Sequence, residues 1–146
     1  MRGPNPLKKI SLFSGLTRIE LALLDARATR TRFPENTLVI REGEVSDSMF
    51  VILSGKVKVF RTDDQGKEVP IDFMGKGGYF GEYAMLDGSK RSASVVTTEP
   101  SDFMVISKDT MLDLFAESPD MAFSLIRDLV TRIRELNYAL ERLESK

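Results

Sequence analysis

Two segments decide the reading of this chain: Gly77-Gly78-Tyr79-Phe80-Gly81-Glu82-Tyr83-Ala84 and, six residues on, Arg91-Ser92-Ala93-Ser94. A lone acid lies between small residues, and an arginine follows nine positions later between polar ones. Glycine and alanine let a backbone approach a ligand closely enough for its N–H groups to form an anion nest. A carboxylate accepts from a sugar hydroxyl, which an N–H group cannot do. Arginine presents a planar fork to a phosphate, and serine adds a hydroxyl. Gly81, Glu82, Tyr83, Ala84, Arg91 and Ser92 are therefore candidate residues for a ribose-phosphate ligand. A surface loop held by an exposed Arg–Glu pair fits the same spacing. On spacing alone the two readings stand level.

On both sides of this segment the chain reads as short strands parted by turn residues. Leu38-Val39-Ile40 precedes a turn at Arg41-Glu42-Gly43-Glu44, and the apolar run Met49-Phe50-Val51-Ile52-Leu53 ends at Ser54-Gly55. Lys56-Val57-Lys58-Val59-Phe60-Arg61 alternates as a half-buried strand does. Asp63-Asp64-Gln65-Gly66 reads as a hairpin turn into residues 67–73, and residues 94–97 and 103–106 are further strands. Many short strands with glycine punctuation predict a mainly β fold, a jelly-roll barrel with flanking helices.

The flanks read as helical. Residues 6–32 are expected to be helix, with Thr17 and Glu20 as a capping box and Ile19, Leu21, Leu23 and Leu24 as its apolar stripe. That pattern stops at Phe33-Pro34. Arg27, Arg30 and Arg32 form the densest basic cluster, read as a solvated helix end in preference to a phosphate-contacting patch. Ser107 is a candidate N-cap for a short helix, and Pro119 opens a long one reaching Glu144. Along it Ile126, Leu129, Ile133, Leu136, Leu140 and Leu143 recur at alternating spacings of three and four, a heptad seam. A two-helix dimer through residues 126–143 is preferred to a helix laid on the barrel's flank. The expected organisation is an N-terminal helical segment (1–36), a β-roll (37–106) and two C-terminal helices (107–146), one domain overall.

Composition narrows the function classes. The 146 residues contain no His, no Cys and no Trp. A disulfide framework, a zinc or iron–sulfur site and a His-based catalytic triad are thereby excluded. An enzyme is not expected, and neither is a metal or a resident cofactor. With 21 basic against 22 acidic residues no global field recruits nucleic acid or membrane. No apolar run approaches a membrane span and the start lacks a signal-peptide pattern, so a cytoplasmic location is expected.

The segment from Phe80 to Val95 resembles, without a gap, the phosphate-binding cassette of cyclic nucleotide-binding domains. The glycine turns at Gly43 and Gly55, the Gly81-Glu82 pair, the Arg91-x-Ala93 end and the helix opening at Pro119 fall at that family's spacing. The chain looks most like the sensor half of bacterial catabolite-activator/FNR-type (Crp/Fnr) transcription regulators. The resemblance implies a double-stranded β-helix fold with a C-terminal dimerisation helix. It implies that Glu82 accepts from the ribose 2′-hydroxyl, Arg91 pairs with the cyclic phosphate, and Ser92 and the Ala84 N–H donate to that phosphate. Val59, Ile71 and Tyr83 would wall the sugar and base. Arg132, Leu136 and Asn137 would face the base, with one protomer's helix capping its partner's ligand.

Within that family Tyr83 replaces a small aliphatic residue, and Asp72 stands where adenine-binding relatives have a small or hydroxyl residue. A buried Asp72 would favour guanine and a solvated one is neutral, so cyclic AMP is ranked above cyclic GMP. Cyclic di-GMP, another effector or a ligand-free dimerisation module are the alternatives. The lack of His and Cys disfavours iron–sulfur and haem sensors, and an enzyme of the cupin type. The chain ends at Lys146 while its pattern is still helical. An excised sensor half is therefore expected, its helix-turn-helix DNA-binding domain absent.

Overall fold

A computed structural model describes residues 6–144. In chain order it contains two 3-10 turns (Pro6–Lys9 and Ser11–Phe13), helix α1 (Arg18–Arg27), strands β1 (Thr29–Phe33), β2 (Leu38–Ile40), β3 (Met49–Ser54), β4 (Val57–Thr62), β5 (Glu68–Met74) and β6 (Tyr79–Phe80). Helix α2 (Glu82–Asp87), strands β7 (Ser94–Thr97) and β8 (Ser101–Ile106), and helices α3 (Lys108–Glu117) and α4 (Pro119–Glu144) complete it. The chain divides into two compact units, residues 22–112 and residues 1–21 with 113–146.

Residues 22–112 carry two four-stranded antiparallel sheets, ordered β1-β8-β3-β6 and β2-β7-β4-β5. Their inner faces meet on one apolar cluster. Phe50, Ile52, Phe80 and Phe103 come from the first sheet, and Ile40, Val57 and Val95 from the second. The rings interlock. Phe50 and Phe80 stack with centroids 5.2 Å apart, and Phe103 meets both edge-on at 6.0 and 5.7 Å. Such geometry adds about 0.5–1.5 kcal/mol per pair beyond area burial. The Asp63-to-Gly66 turn forms as its residues require. Asp63 Oδ1 accepts from the Gln65 and Lys67 N–H groups at 2.9 Å, closing the β4–β5 hairpin.

The N-terminal flank differs from the helix expected over 6–32. Helix ends at Arg27, and residues 29–33 are edge strand β1, paired to β8 from Thr29↔Val105 to Phe33↔Ser101. Alternating β-branched threonine stabilises this strand, and Phe33 packs at its end against Phe103. Of the basic cluster only Arg27 stands at the helix end, as the last residue of α1, while Arg30 and Arg32 lie on β1. Arg30 pairs with Asp25 at 2.9 Å and Arg32 with Asp102 at 3.1 Å. The apolar stripe of α1 also narrows. Leu21 and Leu24, three apart on one face, are buried, whereas Ile19 and Leu23 are exposed.

The capping box does form: Thr17 N–H donates to Glu20 Oε1 at 2.9 Å and Glu20 N–H to Thr17 Oγ1 at 3.2 Å. Ser107 caps α3 by accepting from the Thr110 N–H at 3.2 Å. In the other unit α4 opens at Pro119 and packs against the Ser11–Phe13 turn, burying Met121 and Leu125. Beyond Leu125 its seam residues Ile126, Ile133, Leu136, Leu140 and Leu143 are exposed. No described helix is long and apolar enough to cross a membrane.

Candidate ligand-binding site

The site is built where α2 and the chain entering β7 meet the turn after β2. Gly81 precedes α2 with φ +86°, a left-handed conformation suited to a residue without Cβ. It turns the chain from β6 into α2, whose first residue is Glu82. Glu82 is 3% exposed and Arg91 4%. Burying two opposite charges costs several kcal/mol each unless they are paired and bonded, so the surroundings of Arg91 matter.

Arg91 Nη1 donates to the Gly81 carbonyl and Nη2 to Ser46 Oγ, both at 3.2 Å. Nε has no hydrogen-bond partner among the described residues. A guanidinium carries five N–H donors, so the fork keeps donors for an incoming anion. Burial pushes the Arg91 guanidinium below its ordinary value, while the carboxylates of Asp47, Glu44 and Glu82 oppose that shift. These acids offset the cation when no anion is bound. The backbone of Arg91 is gripped from the same turn: its N–H donates to Glu44 O and its carbonyl accepts from Gly43 N–H, both at 2.9 Å.

The structure thus brings Gly81, Glu82 and Arg91 together. Ala84 is buried in the first turn of α2, where peptide N–H groups lack intrahelical acceptors. Tyr83 lies exposed on the same helix. Ser92 is exposed beside Arg91, and its N–H and hydroxyl make no hydrogen bond among the described residues. Val59 on β4 is half-buried against the core and pairs with both Val95 and Asp72, so these three share a sheet face. Ile71 is the extra residue of a β-bulge, because Val59 faces Asp72 while Phe60 faces Pro70. Ile71 and Asp72 are both exposed, and Asp72 Oδ1 accepts from its neighbour's Phe73 N–H at 2.8 Å. Arg132, Leu136 and Asn137 lie on α4, in the other unit; Leu136 is exposed, as is Asn137, and Arg132 is half-buried.

Ser46, Glu44 and Asp47 had no local signature. They reach Arg91 across 44 or more positions, a contact no spacing pattern encodes.

Gly81→Ala tests this geometry. A Cβ there would lie 2.8 Å from Arg91 Nη1 and 3.0 Å from the Ser48 carbonyl. Overpacking of this kind costs about 1–3 kcal/mol, and the left-handed backbone about 1–2 more. The variant is expected to melt several degrees lower and to bind anionic ligand more weakly, read by calorimetry and thermal denaturation.

Comparison with known proteins places the chain in a family. Residues 30–118 match the family model for the cyclic nucleotide-binding domain, and the chain belongs to that family. It is 31% identical to the "Cyclic AMP receptor protein" of Thermus thermophilus over 137 residues, 94% of this chain and 63% of that protein. It is 30% identical to the "CRP-like cAMP-activated global transcriptional regulator" of Mycobacterium tuberculosis, with 94% and 61% covered. The crystal structure of the Thermus thermophilus Catabolite Activator Protein superposes with a TM-score of 0.84 at 31% identity, covering 92% of this chain and 63% of that one. The matched relatives are CRP-like transcription regulators, and the chain spans a little over three fifths of their length.

Proposed function

We propose that this chain is the cyclic AMP-binding sensor part of a transcription regulator. The observation that carries the reading is Arg91, buried at 4% exposure beside Gly81 and Glu82 with donors left over for a phosphodiester. A buried cation costs several kcal/mol of desolvation, and an anionic ligand taking its spare donors would repay it. Glu82 would accept from the ribose 2′-hydroxyl, Ser92 and the Ala84 N–H would donate to the phosphate, and Val59, Ile71 and Tyr83 would flank sugar and base. Arg132, Leu136 and Asn137 would approach the base from a helix.

The names of the matched relatives support cyclic AMP over cyclic GMP, and so does Asp72. Its carboxylate is solvated and bonded to its own strand, which leaves it no special call on a guanine edge. Parallel calorimetric titrations with cyclic AMP, cyclic GMP and cyclic di-GMP test the assignment. Cyclic AMP is expected to bind tightest, and Glu82→Gln to weaken it by roughly three- to tenfold, because the amide oxygen still accepts but without the charge that about doubles such a bond. Absence of heat with all three ligands would overturn the reading.

The exposed seam on α4 would pair two protomers, and the tilt of the paired helices would carry the signal to a separate DNA-binding domain. Leu136→Glu places a charge at a d position of that seam. It is expected to shift the protein from dimer to monomer in sedimentation experiments at micromolar concentration, with the β unit still folded. An unchanged dimer would place the seam elsewhere.

A further inference from the structure

We infer that Arg61 is a positioning residue for the phosphate end of the site, holding the Ser92–Ala93 peptide by the Ser92 carbonyl so that the Ser92 hydroxyl faces the ligand. The inference rests on the reading of residues 81–92 as a phosphate site and extends it to a strand outside them. Arg61 is near the end of β4, and its Nε donates to the Ser92 carbonyl at 3.0 Å. Its terminal nitrogens make no hydrogen bond or ion pair among the described residues, so this contact is what orders the side chain.

Neighbouring bonds show why Ser92 needs the brace. The carbonyl of Arg91 is taken by Gly43 N–H and the hydroxyl of Ser94 by Glu42 N–H at 2.8 Å. Glu42 Oε1 in turn accepts from Thr62 N–H at 3.1 Å, tying that turn to the end of β4. Between these two anchored positions Ser92 lies outside the β7 ladder, exposed; Gly43 fixes the peptide before it, and the Arg61 side chain fixes the peptide after it through the Ser92 carbonyl. A flexible peptide there would lose entropy on meeting a phosphate; a braced one loses less. Strand β4 would thus serve the ligand twice, with Val59 against the sugar and base and Arg61 behind the phosphate.

The test separates the hydrogen bond from the charge. Glutamine carries its amide nitrogen on Cδ, the atom that bears Nε in arginine, so Arg61→Gln can keep the bond to Ser92 O while removing the charge. Affinity for cyclic AMP is measured by calorimetry for the whole chain as Arg61→Ala, Arg61→Gln, Ser92→Ala and Arg61→Ala/Ser92→Ala. Arg61→Ala is expected to weaken binding by roughly three- to tenfold, as loss of one hydrogen bond does. Arg61→Gln is expected to stay within about twofold of the parent, and the Arg61→Ala effect to shrink clearly when Ser92 is already alanine. Unchanged affinity in Arg61→Ala, an Arg61→Gln as weak as Arg61→Ala, or fully additive effects would each overturn the assignment. If the parent binds no cyclic nucleotide, the proposed function fails first and this inference with it. Parent binding with a silent Arg61→Ala sinks the inference alone.

Discussion

Arg91→Ala is expected to remove measurable cyclic nucleotide binding. Truncating one partner of a buried, hydrogen-bonded charge pair costs about 2–5 kcal/mol, a loss of roughly 30- to 5,000-fold in affinity. The same side chain also serves the empty protein. It bonds Gly81 O and Ser46 Oγ and faces Glu82, Glu44 and Asp47, so its removal leaves Glu82 buried at 3% exposure without that cation. A fall in thermal stability is therefore expected alongside the loss of binding. Arg91→Lys separates the two effects. An ammonium keeps the charge among the three acids but cannot present a planar fork to a phosphodiester. The lysine variant is expected to melt close to the parent and still bind far more weakly, in paired thermal and calorimetric measurements. Parent-like affinity in either variant would place the phosphate elsewhere.

How much of this was legible from residue order depends on the range of the interaction concerned. Local devices were readable. The Thr17/Glu20 box, the Ser107 cap, Pro119 at the start of α4 and the Asp63-to-Gly66 turn each act within a few residues. The alternation over residues 56–61 marks β4 because one of its faces meets the core. Strand β1 was not readable. Thr29-Arg30-Thr31-Arg32 offers no apolar face, and as an edge strand it is held by its ladder to β8 and by Phe33 alone at the core. Helix α2 escaped for another reason: six residues between two left-handed glycines complete too few turns to show a period. In the site, Gly81, Glu82 and Arg91 lie within eleven residues and could be seen together. Ser46 and Arg61 could not, because each reaches its partner only after segments distant in sequence have come together, Arg61 through the pairing of β4 with β7.

Gly55→Ala is expected to be the most damaging of the glycine-to-alanine substitutions. Gly55 joins β3 to β4 with φ +97°, a conformation that costs an L-residue about 1–2 kcal/mol. Conformation is the smaller part. An added Cβ would collide with Ser101 Oγ and lie 2.6 Å from both Ser101 Cα and Cβ. A side chain can swing away, but a Cα atom fixed in β8 cannot. Ser101 is fully buried and its hydroxyl donates to Glu99 O at 2.9 Å while accepting from Lys56 N–H at 3.2 Å, so displacement also breaks buried hydrogen bonds. Overpacking at about 1–3 kcal/mol and a stranded buried polar group at about 1–3 kcal/mol then add to the backbone strain. Against a total stability of about 5–15 kcal/mol, that sum leaves a marginal fold. A fall in Tm of at least about 8 °C is expected, or no cooperative transition at all. Gly43 and Gly66 supply the control: their φ values are +87° and +81°, but an added Cβ meets nothing within 4 Å. Alanine at either should show the backbone strain alone, a few degrees. Adding Ser101→Gly to Gly55→Ala removes the Oγ and Cβ clashes but not the Cα approach, so rescue should be partial. Equal melting of the Gly55, Gly43 and Gly66 variants would mean that the approach of β8 to this turn is not what demands glycine there.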